Sequence, residues 1–353
     1  MKIAPDSVFI KGGGGGALLS PERTLPSYRP PSPGYTIRSS SVPFYRLFLL
    51  AACLLSGLTC VILLFAWDWQ ETIIIENERQ NQQELINSDI DVVKQRLPQA
   101  IIIGARKSGT RALLEALSLH PNIRTARYEV HYFDQNDTYA KGVEWYRSQM
   151  PTSRPDQVTI EKTPGYLTSA HAPERLRAMN ETIKLIVILR DPVIRAISDY
   201  SQVHQNKLER GKPHDSFERL VFEPTGDLAI DYKPLRNSLY VKHLRRWMHA
   251  FPDASQFVLL DGDRFISDPL TEVRKVERFL GLRPEIRQSQ MYFNATKGFY
   301  CFQSNTRTKP RCLGDSKGRP HVNVSEAVKH RLRQLLQPYN ERFYELVGRR
   351  FDW

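Results

Sequence analysis

Two short segments concentrate the side chains that handle phosphate- or sulfate-bearing ligands. The first reads GARKSGTR, residues 104 to 111, between an apolar run at Ala100-Ile101-Ile102-Ile103 and a stretch carrying Leu113, Leu114 and Leu117. That order predicts a buried strand, a turn and a helix. A helix start presents free backbone N–H groups and the positive end of its dipole to an anion. Gly109 lets the backbone come close to a ligand, while Lys107, Thr110 and Arg111 add two charges and a hydroxyl. A nucleoside-triphosphate loop would place its lysine directly after the second glycine, with Ser or Thr next for magnesium. Here Lys107 precedes Gly109, with Ser108 between them. Alone, these residues suit a glycine turn with solvated basic side chains as well as an anion site.

The second segment reads LRDPVIRAISDYSQ, residues 189 to 202. Arg190 ends the apolar run LIVIL, Pro192 is placed to open a helix, and Arg195, Ser198 and Asp199 follow at spacings that share a helix face. Arg190 and Ser198 suit a second phosphate, with a salt bridge from Arg190 to Asp191 or Asp199 as the alternative use.

The elements that must position these groups are short apolar strands alternating with helical stretches. Val158 to Glu161 and Phe257 to Leu260 add to the two runs already named. The pattern predicts an α/β fold with a central parallel sheet flanked by helices. Ligands of such sheets bind outside the carboxyl ends of the strands, where both segments fall.

With 353 residues, 41% of them hydrophobic, the chain can bury one large core and is not wholly disordered. Of the net charge of +12, the first 46 residues carry six basic and two acidic side chains, so the excess belongs mainly to the rest. Such a surface attracts polyanions, whether nucleic acid, acidic polysaccharide or anionic lipid, without choosing among them. Residues 1–46, with Gly12 to Gly16 and several prolines, read as a disordered tail. Residues 47–67, LFLLAACLLSGLTCVILLFAW, carry no charge and match a membrane span in length. A cleaved signal peptide would be shorter and nearer the start. Residues 68–97 are rich in Gln, Asn and Glu and read as a stem, and 98–353 as the catalytic domain. Arg38 and Arg46 precede the span and Asp68, Glu71, Glu76 and Glu78 follow it, so the tail is expected in the cytosol and the domain in the lumen. Four acceptor sequons, at Asn136, Asn180, Asn294 and Asn323, agree with a lumenal domain. Cys301 and Cys312 suit a disulfide closing a short loop in an oxidising compartment. The nine histidines show no metal-ligand spacing, so no metal is expected.

Lys107-Ser108-Gly109-Thr110 and the Arg190 to Ser198 spacing together resemble the sulfotransferases that use 3′-phosphoadenylyl sulfate and release adenosine 3′,5′-bisphosphate. From about Pro98 onward the chain most resembles the heparan sulfate glucosaminyl 3-O-sulfotransferases. KSGTRALLE, EVHYFD (129 to 134), EKTPGY (161 to 166) and CLGDSKGRPH (312 to 321) carry that likeness. Departures are Ser108 for Gly, and Gly165 where the family often has Ser or Ala. The resemblance implies a P-loop-like sulfotransferase fold with Glu129 as general base and His131 and Asp134 lining the acceptor side. It implies that Lys107 and Lys162 stabilise charge on the transferring group, and that Lys317, Gly318, Arg319, Pro320 and His321 close over the donor. It places Val130, Tyr132, Phe133, Gln135, Thr163, Pro164, Gly165 and, more loosely, Tyr232 and Lys233 toward the acceptor. The implied partner is heparan sulfate and the implied location the Golgi membrane. A magnesium-dependent lumenal phosphotransferase, an N- or 6-O-sulfotransferase and a membrane-anchored glycan-binding protein are the alternatives.

Overall fold

The computed structural model describes residues 44–91, 93–304, 309–314 and 321–353. The chain divides into two units, Met1–Glu76 and Asn77–Trp353. Helix α1 spans Phe44–Asp91. Within it, Ser56–Gln82 is long and apolar enough to cross a membrane. The Gln- and Asn-rich segment that was expected as a stem is therefore helical as far as Asp91.

The second unit is built on five parallel strands: β1 (Ala100–Gly104), β2 (Ile123–Thr125), β3 (Val158–Lys162), β4 (Lys184–Leu189) and β5 (Phe257–Asp261). Their spatial order is β2-β3-β1-β4-β5. All five residues of β1 are buried, which is why this strand reads as a continuous apolar run rather than an alternating one. Strand periodicity nonetheless sorts its side chains. Ile101 and Ile103 join Leu185, Val187 and Leu189 in one core with Trp247, Phe251 and Phe343. Ala100 and Ile102 join Ile186, Ile188 and Leu260 in a second core on the opposite face, with Leu113, Leu117 and Val276. Each such side chain contributes about 1.5–3 kcal/mol by leaving water.

Helices α2 (Thr110–Leu117) and α5 (Pro269–Leu280) cover the second face, while α4 (Tyr240–Ala250) and α6 (Glu326–Val347) cover the first. Helix α3 (Pro192–Leu208) follows β4 and packs Val193, Ile197 and Tyr200 into a third cluster with Phe217, Leu235 and Leu336. From β1 the chain goes to the sheet edge at β2, returns to β3 between the two, and then crosses to β4 on the other side of β1. The crevice outside the ends of β1 and β4 is thus the topological switch point, where sheets of this class bind ligands. A two-stranded hairpin, β6 (Met291–Asn294) and β7 (Phe299–Phe302), is tied to the following loop by the Cys301–Cys312 disulfide. Asn136 and Asn323 are exposed, and Asn180 and Asn294 partly so.

Candidate active site

The turn after β1 carries residues in the left-handed backbone region, Lys107 at φ 72° and Gly109 at φ 99°. A side chain at position 109 would find room, its nearest neighbours lying at 3.7 Å, so it is the backbone angle that requires glycine there. The turn is held from two sides. The Ala105 N–H donates to Ile188 O at 2.7 Å. The guanidinium of Arg195, wholly buried on α3, donates to Arg106 O at 3.3 Å, to Asp199 at 3.0 Å, to the Ser238 hydroxyl at 2.8 Å and to Pro234 O. Asp199 also accepts from Arg106 at 2.9 Å. Burial pushes Asp199 up, but the charges of Arg195 and Arg106 outweigh it and hold the carboxyl below its ordinary value.

Arg190 lies at the end of β4, with its carbonyl accepting from the Tyr240 hydroxyl at 2.8 Å. Its Nε donates to Asp263 Oδ1 at 2.8 Å, and the other oxygen of Asp263 accepts from Asp191 N at 2.9 Å. The partner of Arg190 is therefore neither Asp191 nor Asp199. Asp191 instead caps α3 through Val193 N and Ile194 N, and receives Arg333.

A cavity of about 1040 Å³ spans the ends of β1 and β4. Lys107, Ser108, Gly109, Thr110, Arg111, Arg190, Ser198 and His321 line one part, and Glu129, His131, Asp134, Gln135, Pro164, Gly165 and Lys233 another. Arg111 also pairs with Glu115 at 2.5 Å and donates to Arg127 O. Burial, then the charges of Arg190 and Lys107, push the His321 imidazole below its ordinary value. Lys317, Gly318, Arg319 and Pro320 lie outside the described residues.

Glu129 accepts from Lys162 Nζ at 2.5 Å and lies 3.6 Å from His131 Nε2. His131 Nδ1 is 2.9 Å from Asp134 Oδ2, so one imidazole bridges two carboxylates. Asp134 first, then Glu129, raise His131 to about 10 against its burial. His131, opposed by burial and seconded by Lys162, lowers Glu129 to about 2. The result is an ionised carboxylate held between two cations at the cavity wall.

The structure does not bring every expected acceptor residue to the cavity. Tyr132 and Phe133 are buried in an aromatic cluster, Tyr132 stacked on Tyr146 at 4.6 Å and Phe133 edge-on to Tyr166 at 5.4 Å. Val130 packs against the same core, and Thr163 is wholly buried. Tyr232 belongs to the cluster under α3 and to a separate shallow cavity. Strand-like alternation cannot separate these positions, because the segment turns sharply at His131, whose φ is 53°. Other lining residues were not singled out from sequence: Phe265, Phe299, Tyr300, His171 and Asn237 also line the cavity. Their signals are single aromatic or polar residues without a motif. Among the described residues, no cluster of His, Cys, Asp and Glu is arranged to hold a metal.

Residues 97–343 match the sulfotransferase domain. The chain is 50% identical over 264 residues to mouse heparan sulfate glucosamine 3-O-sulfotransferase 5, covering 74% of this chain and 75% of that protein. The chain belongs to this family. It is 45% identical over 262 residues to human heparan sulfate glucosamine 3-O-sulfotransferase 6, covering 74% of this chain and 75% of that one. A crystal structure of a sulfotransferase from Alicyclobacillus acidocaldarius has the same fold, with a TM-score of 0.53 at 19% identity, covering 72% of this chain and 98% of the other. The flanked parallel sheet is thus that of a sulfotransferase, and the turn at Gly109 lies within the matched domain.

Proposed function

We propose that this sulfotransferase moves a sulfuryl group from 3′-phosphoadenylyl sulfate to the 3-hydroxyl of glucosamine residues in heparan sulfate. The observation that carries the reading is a cavity lined by the Gly109 turn, Arg190 and Glu129, with Lys162 buried behind its wall and in contact with Glu129. The left-handed turn at Gly109, the start of α2 and the cations Lys107, Arg111 and Arg190 suit the two phosphate-bearing ends of the donor. When bound, the donor supplies an activated sulfuryl group with a stable bisphosphate leaving group.

In the transfer, the acceptor oxygen forms the new S–O bond as the bond from sulfur to the bridging phosphate oxygen breaks. Glu129 takes the hydroxyl proton, and the negative charge passes to the departing phosphate, where Lys107 and Lys162 offset it. A carboxylate at about 2 is a weak base. His131 first, and Lys162 with it, keep that carboxylate ionised and so ready to accept a proton at neutral pH. The basic residues before the apolar run 47–67, the acidic ones after it and the four sequons support a type II Golgi membrane protein with residues 98–353 in the lumen.

The test incubates the full-length protein with radiolabelled donor and heparan sulfate and maps the label. Label on carbon 3 of glucosamine is expected. Label on nitrogen or on carbon 6 would replace the assigned position while keeping the class, and no transfer would remove the reading.

A further inference from the structure

Glu161 lies next to Lys162 on β3, its side chain on the opposite face, and none of it is exposed. A carboxyl so deeply buried costs stability unless it is bonded, and native chains retain such groups where they hold something else in place. Glu161 Oε1 accepts from the Thr163 hydroxyl at 2.5 Å. That hydroxyl oxygen in turn accepts from Val130 N at 3.1 Å and from His131 N at 3.4 Å. These two amides lie in the segment that carries Glu129 and in which His131 adopts φ 53°, a backbone angle that a non-glycine residue keeps only under constraint. A second brace runs alongside, from Tyr132 N to the Tyr166 hydroxyl at 3.0 Å. Within β3, then, Lys162 holds the Glu129 carboxylate directly while Glu161 reaches the same segment from beneath through Thr163.

We propose that Glu161 is a positioning residue for sulfuryl transfer: through the Thr163 hydroxyl it fixes the Val130–His131 backbone and so sets Glu129 at its working distance from Lys162. This rests on Glu129 being the base. Glu161 Oε2 is buried beside the Tyr146 hydroxyl, whose ionisation the Glu161 charge opposes, and burial raises Glu161 to about 7. The Thr163 hydroxyl needs only an acceptor oxygen at Oε1, which an amide keeps.

The test uses the full-length protein, with active molecules counted by binding of adenosine 3′,5′-bisphosphate. Thr163→Val and Glu161→Leu remove the brace, whereas Thr163→Ser and Glu161→Gln keep it. In the first pair kcat per donor site is expected to fall about ten- to a hundredfold, with KM for heparan sulfate within about twofold. The second pair is expected to stay within about threefold of the wild type. A purely structural role would lower the number of donor sites but not turnover per site, so unchanged kcat per site in both Thr163→Val and Glu161→Leu overturns the proposal. His131, followed by NMR of 13C-histidine-labelled protein, reports the same geometry without turnover. It should titrate at lower pH in Thr163→Val than in the wild type, because Glu129 has moved, and an unchanged titration counts against the brace. If the wild type transfers no sulfate, the functional reading fails, while this titration still decides whether Glu161 positions the segment.

Discussion

The two sides of the cavity are held by different physics. The proposed donor side is a strand-to-helix turn set by the left-handed backbone at Lys107 and Gly109, locked by Arg195 from α3 and by the Asp263 clamp on Arg190 and Asp191. The proposed acceptor side is a loop in which Glu129 owes its place to Lys162 at the end of β3 and to the Thr163 hydroxyl just past it, more than thirty residues away. A site built from a local turn tolerates change in single side chains and depends on backbone angle. A site built from a long-range network depends on each member of the chain of contacts.

That contrast is sharpest at Glu129. Glu129→Gln keeps shape and volume but cannot take a proton, so transfer is expected to fall by at least about a hundredfold. Adenosine 3′,5′-bisphosphate, which answers to the other side, should bind as before in calorimetry. Transfer that survives would show that the acceptor side does not supply the base. On the donor side, Arg190→Ala removes one charged partner of a bound phosphate, worth about 1.5–3 kcal/mol, or roughly ten- to a hundredfold in affinity. The loss should appear in donor binding and leave the pH dependence of kcat alone. If it altered that pH dependence, the two sides could not be treated as separate.

The same contrast decides what the sequence made legible. The anion turn, Arg190 and Ser198 could be placed because a buried strand followed by a helix fixes where the intervening residues must lie, whatever the rest of the chain does. Four of the sheet's five strands followed from their apolar runs for the same reason, while the short edge strand β2, with the residues Ile123-Arg124-Thr125, carries too little pattern to be seen. Glu129 and Lys162 became legible as a pair only through resemblance, since nothing in their spacing says that 33 residues separate two touching side chains. Tyr132 and Phe133 were drawn toward the acceptor by their place in EVHYFD, yet the sharp turn at His131 sends both rings into the core. Arg195 could be set on one helix face with Asp199, but Asp263 carried no signal, because a polar residue that braces a neighbour looks like any solvated charge until the fold brings the two together.

Gly165 tests how tightly the acceptor network is sprung. A Cβ there would lie 2.7 Å from Asp134 Oδ2, the atom that pairs with His131. Gly165→Ala is therefore expected to push Asp134 off His131 and to lower kcat about three- to tenfold, with donor affinity unchanged. Unaltered kcat would mean that Asp134 can yield without disturbing Glu129, and that the network is looser than its distances suggest.

The smallest expected effect lies in stability against pH, and it should come mainly from the acceptor side. Glu129, at about 2 when folded and 4.5 otherwise, binds fewer protons in the folded state between those values, so it adds stability as pH rises through that window. Glu161 has the opposite sign. Burial raises it from 4.5 to about 7, so the folded state holds the extra proton in that window and stability falls as pH rises through it. His131, raised from 6.5 to about 10, contributes fully below 6.5 and loses that contribution as pH climbs toward 10. The groups facing Glu161 are Lys162 and His131, which favour its charged form, and the Tyr146 and Tyr166 hydroxyls, whose own ionisation its charge opposes. Thermal melts of the full-length protein at a series of pH values, wild type against Glu161→Gln, isolate this one group. The amide cannot ionise, so the wild type should lose thermal stability relative to the variant between pH 4.5 and 7 and run parallel to it above that. A constant difference across the range would mean that Glu161 is already charged when buried, and that Lys162 must then be shared between two carboxylates rather than reserved for Glu129.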